Sequence, residues 1–244
     1  MNPLPKLDTI WVYLAASPLL GLTLTLVAYL IAINVYTRFR FNPLANPVLI
    51  AVAIVVAALK LTGTPYRTYF EGAQFVHFLL GPATVALALP LYRQWSKLKR
   101  AALPLVGGLV AGSLAAIMSA VGIAALFGAS RQTLASLAPK SVTTPIAMAV
   151  AEKIGGIPSL TAVLVITTGV FGAVTARWIL RVLRIEELEV RGFAIGVASH
   201  GIGTARAFQV SEEMGAFAGL GMGLNGVFTA FVVPVLLPVL LRWV

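Results

Sequence analysis

Six runs without a single Asp, Glu, Lys or Arg, at 9–37, 41–59, 72–92, 101–130, 154–176 and 214–241, leave this chain little choice of solvent. A helix of about 18 to 20 apolar residues crosses the roughly 30 Å hydrocarbon core of a bilayer, and every run reaches that length. Six membrane-spanning helices are therefore expected. Hydrophobic residues make up 59% of the chain and charged residues 11%, with a mean hydropathy of +0.94, which excludes an ordinary water-soluble domain. The expected fold class is an all-α integral membrane protein: a polytopic bundle of about 6–8 segments with broken or re-entrant helices, forming one transmembrane domain over residues 1–244.

The formal charge of +10 does not point to nucleic acid, because the basic residues sit in short connections between apolar runs, where the positive-inside bias puts them. With no cysteine, the chain has neither disulfides nor thiolate chemistry. The first run is long and lacks a basic start followed by a small-residue cleavage site, so it is expected to remain as a membrane helix.

Loop charge constrains the topology. Arg38 and Arg40 follow the first run, and Arg93, Lys97, Lys99 and Arg100 follow the third, so both connections are assigned to the cytoplasm with the N-terminus outside. The connection carrying Arg177, Arg181, Arg184 and Arg191 is equally basic, yet simple alternation through every apolar segment puts it outside. The parity is restored by one segment between 101 and 176 that enters and leaves on the same side, and a re-entrant or broken element is expected at about 134–152. The alternative is that these arginines snorkel from helix ends.

Two further apolar stretches, 141–151 and 192–205, are too short to span, and they carry the unusual residues. Pro139-Lys140-Ser141-Val142-Thr143-Thr144-Pro145 places a cation, three hydroxyls and two prolines in lipid-grade sequence. Broken backbone at membrane depth is tolerated where it is buried in protein or lines a polar cavity. Its hydroxyls are expected to satisfy freed backbone groups, and Pro145 suits the first turn of a new helix. The positive dipole end of that helix, with Lys140, favours an anion. A plain proline kink with a snorkelling lysine is the competing reading.

Ser199-His200-Gly201-Ile202-Gly203-Thr204-Ala205-Arg206 is the second constellation. Gly201 and Gly203 are expected to let the backbone turn, with His200, Thr204 and Arg206 beside the turn. Arg206 suits a carboxylate and His200 a proton; a packing histidine and a helix-end arginine are the alternatives. Pro82 and Thr84, in Gly81-Pro82-Ala83-Thr84, break a third run that Pro90 weakens again, and are read either as a counterpart of that turn or as a kink. Asn225, among Gly221, Gly223 and Gly226, is an amide at a close-packing helix face, with interhelical bonding as one role and substrate contact as the other.

A weak repeat accompanies these motifs. A shift of 120 lays Gly72 on Gly192, Gly81 on Gly201 and Thr84 on Thr204, and a shift of 121 lays Pro18 on Pro139 and Thr23 on Thr144. The expectation is two repeats, about 9–130 and about 131–244, meeting at a central site as in many secondary transporters. No HExxH, GxSxG or intramembrane carboxylate pair occurs, so neither catalysis nor a metal or cofactor is expected.

The segments Tyr69-Phe70-Glu71-Gly72, Gly81 to Tyr92, Pro139 to Ala147, Gly155-Gly156-Ile157-Pro158 and His200 to Arg206 resemble the LrgB/CidB family over nearly the whole chain. The resemblance implies a multi-pass protein of the bacterial inner (plasma) membrane that works beside a smaller LrgA/CidA-type membrane partner. Bacterial members are called holin-like or antiholin-like and are linked to murein hydrolase export and autolysis. Plant relatives look like plastid glycolate/glycerate translocators, and other bacterial relatives are associated with pyruvate. Combined with the cationic motifs, this implies a transporter of small monocarboxylates, with proton coupling through His200. Lys140, Ser141, Thr143, Thr144, His200, Gly201, Gly203, Thr204, Arg206, Pro82, Thr84 and Asn225 are the candidate substrate-binding residues. A modulator of membrane permeability is the alternative. A homo-oligomer, a dimer by the prevalence of two-fold symmetry, is expected in either case.

Overall fold

In the computed structural model, residues 18–39, 41–42 and 45–242 are described, apart from the side chains of Pro18, His77, Leu80 and Thr84. Arg40, the start of the first apolar run and the Thr84 side chain thus lie outside the described residues. Helices make up nearly all of the rest, in two compact units divided at Val85 and Ala86.

The first unit holds α1 (Pro18–Arg38), α2 (Pro47–Thr62), α3 (Tyr66–Phe78) and most of α4 (Leu80–Ala86). Among the described residues, five helical stretches have the length and composition to cross a membrane, and α2 is shorter at 16 residues. Six full-length spans were expected, and α2 is cut short by its own end signals. Asn46 Oδ1 accepts from the Val48 and Leu49 amides at 2.9 and 3.2 Å, Pro47 opens the helix, and Gly63 closes it in the left-handed region. The third run is interrupted at Leu79 and Leu87, giving α3, α4 and α5 (Ala88–Arg93). Each break lies three residues before a proline, Pro82 or Pro90, whose ring lacks the N–H and crowds the preceding turn.

The second unit continues from α5 into α6 (Trp95–Leu126), α7 (Arg131–Leu137), α8 (Thr144–Lys153), α9 (Pro158–Val182), α10 (Leu188–Phe208) and α11 (Glu212–Leu240). Three ion pairs define one end of this unit. Arg93 meets Glu212 at 2.9 Å, Lys97 meets Glu189 at 3.7 Å, and Lys97 also pairs with Glu213. The starts of α6, α10 and α11 therefore share one end, the Lys97 end, which positive-inside bias assigns to the cytoplasm. The basic connections at 93–100 and 184–191 are on the same side, as loop charge required.

Between α6 and α9 the chain does not cross. Leu134, Ala135 and Ala138 of the α7 region pack with Val150 of α8, Ile117 and Val121 of α6, and Val233 and Leu237 of α11. Ser136 Oγ accepts from the Ile157 amide at 2.8 Å, joining α7 to the connection after α8. Both arms open at the far end, and residues 138–143 form a non-helical tip. This is the broken element expected at 134–152.

A second hairpin, unforeseen as such, is folded into α10. His200, at φ 42° and ψ −135°, breaks the helix, and the chain beyond it doubles back. A Cβ at Gly203 would lie 3.0 Å from the Ile195 carbonyl oxygen, eight residues earlier, a distance no continuous helix allows. The entering arm runs parallel to α11, with Gly192 against Met214 and Gly196 against Ala218, while the leaving arm brings Phe208 back to Gly215. Glycine is required at 192 and 196 because a Cβ there would collide with the α11 carbonyls. The expected glycine turn is thus corrected: the bend falls on His200, neither Gly201 nor Gly203 has positive φ, and Gly203 serves the close contact between arms.

Candidate functional site at the hairpin tips

Two hairpins entering from opposite ends bring their tips to the middle of α6 and α11, and one side chain fastens them. Asn225, 1% exposed, donates from Nδ2 to the Ser141 carbonyl of the first tip at 3.2 Å and to the Val197 carbonyl of the second hairpin at 2.9 Å. Its Oδ1 accepts from Ser113 Oγ of α6 at 2.7 Å and from Thr229 Oγ1 at 3.2 Å. Two carbonyl acceptors fix the amide orientation, and all of its donors are used. Asn225 therefore acts as a clasp between elements.

The first tip carries the charge. Lys140 is half-buried and donates to Ser141 Oγ at 3.3 Å. Thr143 is the N-cap of α8 in extended conformation, but its side chain makes no capping bond, and Pro145 supplies no amide. The expectation that the hydroxyls satisfy the freed backbone is corrected at this helix start. α8 presents its positive end without a side-chain cap beside a lysine.

At the second tip, His200 is 4% exposed and its Nε2 lies 3.0 Å from the Val165 carbonyl of α9. Since a carbonyl only accepts, Nε2 carries the proton and donates. Thr204 Oγ1 donates to the His200 carbonyl at 2.8 Å, a bond within the first turn of the leaving arm. Gly169 makes space for the ring: a Cβ there would stand 2.7 Å from His200 Cε1. Val142, Ala147 and Val165 close the apolar side of the junction.

The remaining candidates lie elsewhere. Arg206 donates to Gln209 Oε1 at 3.0 Å and lines a cavity of about 250 Å³ with Arg177 and Arg191 near the Lys97 end. Pro82 is exposed on α4 in the first unit. Ser113 and Val165 belong to the tip junction but carried no sequence signal, being a serine and a carbonyl in uniform apolar runs. At the far end, Arg131, Lys153 and Arg242 line a wider cavity of about 780 Å³ with Pro234 and Pro238.

Opposed hairpins sharing a buried polar junction, among helices long and apolar enough to cross a bilayer, define the class: an all-α multi-pass membrane protein. The chain belongs to the LrgB-like family, whose model matches residues 25–239. It is 39% identical over 219 residues to YwbG of Bacillus subtilis, described as uncharacterized, covering 90% of this chain and 97% of the relative. It is 37% identical over 211 residues to YxaC of the same organism, also described as uncharacterized, covering 86% and 91%. With the holin-like protein CidB of Staphylococcus aureus it shares 32% identity over 219 residues, 90% of this chain and 95% of the relative. No solved structure matches.

Proposed function

We propose that the chain is a secondary transporter of small monocarboxylates of the glycolate, glycerate, pyruvate or lactate class, binding them at the tip junction of the second unit. The observation that carries this reading is the half-buried Lys140 beside the start of α8, which has no side-chain cap. A lysine at membrane depth is costly unless an anion or a polar cavity offsets it. Lys140 neutralises the carboxylate, and Ser141, Thr143 and Thr144 offer hydroxyls at the same tip. His200, Gly201, Gly203 and Thr204 form the facing tip, with His200 Nδ1 as the proton-carrying atom in a coupled cycle. Asn225 holds the two tips in register, and Arg206 acts at the mouth of the second hairpin. Pro82 and Thr84 belong to the repeat that the sequence offsets pair with residues 201–204.

Purified protein in liposomes should accumulate labelled glycolate, pyruvate or lactate, and Lys140→Ala should reduce uptake at least tenfold. Normal uptake by Lys140→Ala would overturn the site. A second reading, a holin-like modulator of permeability and autolysis working with an LrgA/CidA-type partner, is favoured by the name of the CidB relative. Dye leakage that requires the partner and ignores Lys140 would establish it instead.

A further inference from the structure

The three-arginine cavity lies apart from the tips and has its own chemistry. Arg177 comes from the last turns of α9, Arg191 from the entering arm of α10 and Arg206 from its leaving arm. Their side chains line about 250 Å³ together with Ala173, Ala176, Ile195, Val210 and Met214. Three helical segments, α9 and the two arms of α10, thus bring three arginines to one space, and no carboxylate residue is among those lining it. Arg191 Nε is buried and has no hydrogen-bond partner. A buried, unsatisfied donor on a charged group is costly, and a ligand oxygen would remove that cost. Glu189, the nearest acidic residue in sequence to Arg191, is turned to Lys97.

We propose that this cavity is a binding site for a phosphate-bearing anion, distinct from the carboxylate site at the hairpin tips. The geometry distinguishes the anion class. A planar carboxylate is satisfied by one guanidinium fork, whereas a tetrahedral phosphate offers oxygens in several directions and suits donors converging from three helical segments. The apolar wall of Ile195, Val210 and Met214 gives the remainder of the ligand a place to lie. Because both arms of the α10 hairpin contribute an arginine, occupancy pins those arms together and to α9. The phosphate belongs either to a lipid headgroup or to a soluble phosphate ester.

The test is thermal unfolding of the full-length protein in neutral detergent at fixed ionic strength. It is titrated separately with inorganic phosphate, glycerol phosphate, a short-chain phosphatidylglycerol and acetate. Saturable stabilisation by a phosphate compound is expected, weakened at least tenfold in midpoint concentration by Arg191→Gln and by Arg206→Gln and unchanged in Lys140→Ala. Response to the lipid alone assigns the headgroup as the source; response to the soluble compounds as well assigns a free phosphate ester. Equal stabilisation by acetate, or midpoints indifferent to the arginine variants, overturns the proposal. Should Arg191→Gln fail to fold, the exposed Arg177→Gln carries the same test. Unchanged phosphate binding in a transport-dead Lys140→Ala protein keeps this outcome separate from that of the transport reading.

Discussion

At the scale of single residues, one buried amide acts as a clasp. Asn225 joins Ser141, Val197, Ser113 and Thr229 through one amide. Replacing it by Ala strands two carbonyls and two hydroxyls, at about 1–3 kcal/mol for each group left buried and unpaired. Asn225→Ala is expected to lower the unfolding temperature in detergent sharply, and Asn225→Asp to do the same, since a carboxylate cannot donate to the two carbonyls; an unshifted midpoint in both would refute the clasp. Gly169 gives a subtler handle. Gly169→Ala intrudes on the His200 ring, whereas a methyl at Gly107 meets nothing within 4 Å. Uptake should therefore fall at least severalfold in Gly169→Ala and stay at the parental level in Gly107→Ala. A further cost is fixed in the backbone, because His200 holds a positive φ that non-glycine residues rarely adopt, worth about 1–3 kcal/mol.

At the scale of elements, the two hairpins differ in how readily the sequence reveals them. Lys140 between two prolines advertises the first, because charge, missing N–H groups and loop parity all point at one segment. The second was equally constrained by length: between Arg191 and Arg206 lie too few uncharged residues to cross, so Gln209 must return to the side of Glu186. Gly201 and Gly203 mark that segment in the sequence, although the bend belongs to His200. Asn225 could not be assigned its role from sequence, since its partners are 84 and 28 residues away. Arg206 is close to His200 in sequence, yet six helical residues carry it about 9 Å toward the mouth. Topology is directly measurable, because the chain has no native cysteine. In Phe127→Cys and Glu152→Cys, a membrane-impermeant maleimide should label from one face of inside-out and right-side-out vesicles. In Glu186→Cys and Gln209→Cys it should label from the other. Labelling of Glu186→Cys and Gln209→Cys from opposite faces would mean that α10 crosses, and the hairpin would be lost.

For the whole molecule, the contest between selective passage and permeability control turns on where polarity is spent. Exposed residues of the long helices are overwhelmingly apolar, as lipid requires, while of the buried polar side chains among the described residues Ser113, Ser141, Ser199, His200, Thr204, Asn225 and Thr229 gather around the hairpin tips and Asn46, Ser136 and Thr161 lie elsewhere. A protein acting only through lateral assembly needs small-residue faces pointing outward. In α11 most of that resource is used within the chain: Gly215 packs on Phe208, Gly221 on Phe193 and Gly226 on Ile146, while Gly223 is exposed. The expected behaviour in liposomes containing this chain alone is saturable uptake of a small monocarboxylate together with full retention of a trapped carboxyfluorescein-sized dye. Lys140→Ala should lose the first and keep the second, because removing the cation takes away the anion's counter-charge without opening the packed junction. Dye loss from the parental protein, or carboxylate flux that rises linearly without saturation, would favour a permeability device over a transporter.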